Sequence, residues 1–254
     1  MQRTSHLYSS VTVAAIAILA FIGATVSHEA LGHGGMCVAL GGRVTLLTSV
    51  YFRCSPGWPL VDAAGPLMNL AVGAICWGIL RAARSLPLTW KLFFAFAVAF
   101  NLFWGSGYFI FSGLFDAGDW AYVLRDLALR PAGFWRAVMV LAGIVLYVRS
   151  VTLTARYLPR GVSLVGCYVA VGAVSCLAAL FYSGAVLPAL TESVKESFGA
   201  GVGLLWIASW RSRRSEPSAS SILPPQSRAW LIAGVLGTLV FIATLGRGLI
   251  LNGV

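Results

Sequence analysis

The sequence predicts an all-α fold, a polytopic bundle of about six or seven membrane-spanning helices, on three observations. Of 254 residues, 59% are apolar and only 10% are charged, against about 25% charged in an ordinary soluble domain. The apolar residues fall in long blocks, several of which reach the ~20 residues a helix needs to cross a hydrocarbon core about 30 Å thick. Arg and Lys occupy the short gaps between those blocks, which is the pattern the positive-inside rule produces.

Taken in order, the blocks predict spans at Val11 to Gly35, Leu60 to Leu80, Leu88 to Phe115, Phe134 to Val148, Val162 to Phe181 and Ala229 to Ile250. A seventh, Phe198 to Trp210, is too short alone and would borrow length from Leu187 onward, placing Glu192, Lys195 and Glu196 near one interface, where long charged side chains can snorkel. The stretch 211–228 replaces apolar residues with Ser, Pro and charge and predicts a polar loop. Gly105-Ser-Gly107 interrupts the third span, a break tolerated at membrane depth only where backbone faces protein or a water-filled cavity. If all seven blocks cross, eleven of the 18 basic residues collect on the N-terminal side, among them Arg3, Arg84, Arg211, Arg213 and Arg214, and seven on the other. That bias predicts a cytoplasmic N-terminus in a multi-pass protein of the cell membrane.

The net charge of +10 does not point to nucleic acid, because the basic residues form neither a basic helix nor an aromatic-studded groove. The five cysteines, Cys37, Cys54, Cys76, Cys167 and Cys176, show neither C-x-x-C spacing nor an even-numbered framework and read as small apolar packing residues. Arg3 and the apolar run from Val11 to Ile22 imitate a secretory signal, but the run is long and leads straight into charged chemistry, so it is expected to be the first span.

An ionisable side chain at membrane depth is a functional-site hypothesis by default, and the first span holds three within six positions, His28, Glu29 and His33. Catalytic zinc takes neutral imidazole nitrogens about 2.0–2.1 Å away, a third protein ligand and a water. In the helical motif H-E-x-x-H the histidines share a face and the Glu serves as base. Here the spacing is H-E-x-x-x-H, which an ideal α-helix would splay by about 140°. Either a π-bulge absorbs the extra residue, made accessible by Gly32, Gly34 and Gly35, or Glu29 and His33, four apart, are the ligands and His28 stands outside them.

For the third ligand the sequence offers Asp116 and Asp119, in Gly113-Leu-Phe-Asp-Ala-Gly-Asp-Trp120, both also readable as capping carboxylates. Asp62 is a weaker candidate with N-capping as its expected role. Asn69 and Asn101, at membrane depth, would either orient an extended substrate strand or bond across helices.

Three ordered segments then resemble the site-2 protease family of intramembrane zinc metalloproteases. They are His28 to His33 followed by Leu40-Gly-Gly-Arg43, Ala64-Gly-Pro-Leu-Met-Asn-Leu70, and Asn101-Leu-Phe with Phe115-Asp-Ala-Gly118. The first departs from the family by one residue and the third by a longer gap. The resemblance covers roughly residues 10–120. It implies a catalytic core over 1–125, with further helices of unassigned role over 126–254. It further implies zinc held by His28, His33 and Asp116 or Asp119, Glu29 as the base, and a transmembrane segment of another membrane protein as substrate. The alternatives are a non-catalytic protein retaining the scaffold for metal or partner binding, and a transporter using the intramembrane acids.

Overall fold

The computed structural model describes residues 2–83, 85–213 and 226–251, with side chains from Ser10 onward. Arg84, Arg214, most of the 211–228 loop and the side chain of Arg3 lie outside the described residues. Helix dominates. The first, α1, comprises Gln2–Val26, a π-helical Ser27–Gly34 and Gly35–Ala39. A hairpin of β1 (Arg43–Leu47) and β2 (Phe52–Ser55) follows, then α2 (Pro59–Ala82), α3 (Leu88–Phe115), the short α4 (Asp119–Asp126) and α5 (Ala132–Tyr157). The chain continues as α6 (Leu164–Leu180) and α7, built from Val186–Val194, the π-helical Lys195–Gly199 and Ala200–Arg213. It closes with α8 (Arg228–Phe241, extended by π-helical Ile242–Gly246) and β3 (Leu249–Ile250).

Among the described residues five helices are long and apolar enough to cross a membrane, namely Ser10–Ala39, Pro59–Ala82, Leu88–Phe115, Ala132–Tyr157 and Arg228–Gly246. These are compatible with an integral membrane protein. Helix α6, at 17 residues, spans about 25 Å and falls short of a full hydrocarbon crossing. The doubtful seventh span is one continuous helix with the residues before it. Its Glu192, Lys195 and Glu196 line a cavity.

Successive long helices alternate in direction. One end brings Thr12 to Ser227, Trp77 to Tyr157 and Trp90 to Trp230. The other carries a three-stranded antiparallel sheet in the order β2-β1-β3, which an all-helical reading does not anticipate. The last residues of the expected 229–250 span turn into β3, because β1 offers them an unpaired edge. The bundle is centred on α3, of whose apolar stretch 61% is buried, against 33% for α2 and for α5. Phe96, Phe103 and Trp104 of α3 share one core with Ile16 of α1, Val151 of α5, Val171 of α6 and Leu204 of α7. The expected division at residues 125 and 126 therefore does not divide the core.

Gly105 does not break α3, which is helical throughout. A Cβ there would meet Leu70 and the Pro66 carbonyl at 2.8–2.9 Å, so the residue serves close helix approach. Two of the arginines cap helix ends, where positive charge meets unpaired carbonyls. Arg136 donates to the Gly113 and Leu114 carbonyls, and Arg211 to those of Ala155, Leu158 and Pro159.

One expectation about cysteine is overturned: Cys37, at the end of α1, is bonded to Cys54 in β2, with Cα atoms 5.9 Å apart. Their spacing gave no signal because the hairpin, not the sequence separation, brings them together. Cys76, Cys167 and Cys176 are free. Alkylation of the denatured, unreduced protein is thus expected to modify these three, with Cys37 and Cys54 reacting only after reduction; mass spectrometry of the labelled peptides reads the outcome.

Candidate metal centre

Positions five apart meet only if the helix is wider than α, and the Ser27–Gly34 segment adopts the i to i+5 register that does this. The Ser27 hydroxyl donates to the Gly23 carbonyl at 2.8 Å, a back-bond of the kind that bends helices. His28 and His33 are both buried. Their rings stand edge to face with centroids 4.7 Å apart, and their Nε2 atoms are 3.2 Å apart.

The other ring nitrogens fix the tautomers. His33 Nδ1 lies 2.6 Å from the Val61 carbonyl, which can only accept, so Nδ1 carries the hydrogen. His28 Nδ1 lies 2.7 Å from Asn69 Oδ1. The Asn69 amide nitrogen donates to the Ala24 carbonyl and to Asn101 Oδ1, both at 3.0 Å, and Asn101 Nδ2 donates to the Ala97 carbonyl at 2.9 Å. That chain orients Asn69 so that its Oδ1 accepts, and His28 Nδ1 must donate. In neutral rings both Nε2 atoms then present lone pairs to each other.

A third acceptor joins them. Asp119 Oδ2 is 3.1 Å from His28 Nε2 and 3.6 Å from His33 Nε2. A proton on one ring would satisfy one of these contacts, whereas a cation at the centre satisfies all three. A tetrahedron of about 2.0 Å bonds has edges of about 3.3 Å, and the three observed separations bracket that length. Among the described residues these three form a group able to hold a metal ion.

Backbone shape delivers each donor. Gly118 has φ 79° and ψ −178°, a region essentially restricted to glycine, and its turn swings Asp119 inward at the start of α4. Asp119 is therefore no cap. Gly65 lets α2 lie against the histidines: a Cβ there would fall 2.4 Å from His33 Nε2 and 2.8 Å from His28 Nε2. The Ala64-Gly65-Pro66 segment thus has a steric reason beyond helix packing.

Glu29 sits on the wall of the same cavity, of about 260 Å³, as His28, His33 and Asp119. It is 3% exposed. Its Oε2 and the Oδ2 of Asp119 are buried with no hydrogen-bond partner, a costly condition unless something else occupies the space between them.

Other expected residues lie elsewhere or act differently. Asp116 caps the end of α3 in a left-handed conformation with φ 52°, and its half-exposed carboxylate pairs with Arg125 and Arg136 at 3.4 and 3.6 Å. It is not with the histidines. Asp62 makes no capping bond; it lines the cavity. Asn69 and Asn101 are enclosed and spend their polar atoms on the His28 network, so neither faces a substrate strand as one reading expected.

The residues sequence reasoning missed are aromatic and acidic. Trp104 and Tyr108 both stack on His28 at 5.2 and 5.1 Å, and Phe52 of β2 stacks on His33 at 5.3 Å. Trp104 and Tyr108 are four apart on α3, a spacing that places them on one face. Glu192 and Glu196 were visible as acids in an apolar stretch, but nothing local aimed them inward.

Two substitutions separate the aspartates. Asp119→Asn is expected to abolish tight binding of a titrated divalent cation while Asp116→Asn leaves it within about twofold. Asn69→Ala should weaken it by about 10–100-fold, the usual cost of losing a histidine's outer partner. Isothermal titration of the apo protein with zinc and with cobalt measures all three.

No family model, no curated protein and no solved structure matches this chain, so the chemistry of its donor atoms is what bears on its function.

Proposed function

We propose that this chain is an intramembrane zinc metalloprotease that hydrolyses peptide bonds in or near the transmembrane segments of other membrane proteins. One observation carries the reading: two imidazole Nε2 atoms, fixed as acceptors by their Nδ1 partners, converge with Asp119 Oδ2 in a cavity that Glu29, its Oε2 unpartnered, also lines. Three protein ligands with room for a fourth, plus a free carboxylate, are the parts of a hydrolytic zinc site.

His28, His33 and Asp119 would hold the ion. The chemistry zinc supplies there is polarisation of the scissile carbonyl and a lowered pKa for the attacking water. Glu29 takes the proton of that water at its carboxylate and returns it to the leaving amine nitrogen. Asn69 and Asn101 keep His28 in the tautomer that leaves Nε2 free. A substrate helix hides its carbonyls in its own hydrogen bonds, so it must unwind locally to reach the cavity.

The Cys37–Cys54 bridge supports placing the sheet end in an oxidising compartment. The basic residues gathered at the opposite end support the same orientation, with the N-terminus cytoplasmic. On this reading the site is reached from the extracytoplasmic half of the bilayer of the cell membrane.

The test is Glu29→Gln in the purified protein, reconstituted with transmembrane peptides. The variant is expected to keep about one zinc per chain and to cleave at least ~10²-fold more slowly than wild type, the usual size of a general-base contribution. Cleavage at the wild-type rate would contradict the role given to Glu29.

A further inference from the structure

A second cavity, of about 290 Å³, abuts the candidate centre. The two share Tyr108 and Phe111 of α3 and Glu192, Lys195 and Glu196 of α7 as common walls. Tyr108 is the partition. Its ring lies on His28 with centroids 5.1 Å apart, and its hydroxyl donates to Glu196 Oε1 at 3.5 Å. Past these shared residues the walls are aromatic and aliphatic, ending at Phe115 and Val202, which are 68% and 44% exposed on the face of the bundle.

Beyond the shared residues, α7 contributes Gly199, Ala200 and Val202, at and just after its π-helical turn Lys195–Gly199. Tyrosine hydroxyls hold the backbone where that turn disturbs the helix. Tyr168 donates to the Phe198 carbonyl at 3.1 Å, while Tyr147 donates to the Ala200 carbonyl and accepts from the Gly203 amide, both at 2.8 Å. Gly107 and Gly199 line it from α3 and α7, and both have room for a side chain: a Cβ on Gly199 would meet nothing within 4 Å, and one on Gly107 only the Tyr147 ring at 3.8 Å.

Resting on the protease reading above, we propose that this second cavity is a side-chain subsite, which takes a large apolar residue, leucine or phenylalanine, adjacent to the hydrolysed bond. Adjacency to the catalytic cavity, across five shared wall residues, selects a peptide side chain as its occupant, since a residue seated there presents its own backbone near Tyr108 beside His28. The volume suffices, because a dry apolar cavity of about 150 Å³ admits a benzene ring. The charged group at the junction, Glu192, Lys195 and Glu196, meets the peptide backbone, which has polar atoms to offer, and the apolar interior meets the side chain.

The experiment uses the zinc-loaded full chain in liposomes and transmembrane peptides that differ only in one residue beside the cleavage site. Wild type is expected to cleave the leucine or phenylalanine peptide at least tenfold faster than the alanine peptide, within the roughly 10–200-fold that apolar pockets discriminate. Gly199→Leu and Gly107→Leu, each with zinc content as its control for folding, should each lower that preference about tenfold. As a second measurement, a peptide carrying benzoylphenylalanine at the same position should crosslink to Phe111 or Val202 in Glu29→Gln. Equal rates for all three peptides, an unchanged preference in both variants, or labelling of these residues by a photoactivatable phospholipid with none by the peptide would overturn the subsite and leave the protease reading intact. Failure of wild type to cleave any peptide would overturn both.

Discussion

The structure is organised around one electrostatic requirement: three acceptor atoms, His28 Nε2, His33 Nε2 and Asp119 Oδ2, meet within 3.1 to 3.6 Å on the wall of one cavity. Lone pairs in that arrangement repel unless positive charge sits among them. Ionisable groups at membrane depth each cost about 2.5–3.5 kcal/mol on insertion scales, and such a cluster persists in a fold only with compensation. A shared cation would satisfy all three ligand atoms at once.

Around that point, each element has a reason. The π register of α1 brings together two histidines that an α-helix would separate. Gly65 lets α2 close on them, and its Asn69, steadied by Asn101 of α3, sets one tautomer while the Val61 carbonyl sets the other. The turn through Asp116 and Gly118 carries Asp119 in from the end of α3. Phe52 on β2, tied to α1 through the Cys37–Cys54 bridge, closes over His33. The C-terminal helices are not an appendage: α7 lines the cavity of the centre with Glu192, Lys195 and Glu196, and β3 joins the sheet.

Much of this was legible in the sequence because it rests on local chemistry. Long apolar blocks announce helices whatever their neighbours do, and the H-E-x-x-x-H spacing with its glycines called for either a wider helical turn or a different ligand pair. What was not legible depends on the path of the chain. Asp116 and Asp119 are equivalent by composition, and only the left-handed residue at 116 and the glycine at 118 send one outward to Arg125 and Arg136 and the other inward. Cys37 and Cys54 meet because a hairpin turns back. Glu192 and Glu196 resemble interface residues until the packing of α7 on α3 faces them toward the histidines. Asn69 and Asn101 gave an ambiguous role, since an amide that bonds across helices and one that binds substrate look alike until its partners are known.

The arrangement described above requires that His28 and His33 share one cation with Asp119. X-ray absorption fine structure at the zinc edge of the loaded protein measures this directly. The account predicts two imidazole nitrogens and carboxylate oxygen in a shell at about 2.0–2.1 Å, with one imidazole lost in His33→Ala. A zinc shell without imidazole, or one unchanged by that substitution, would contradict it.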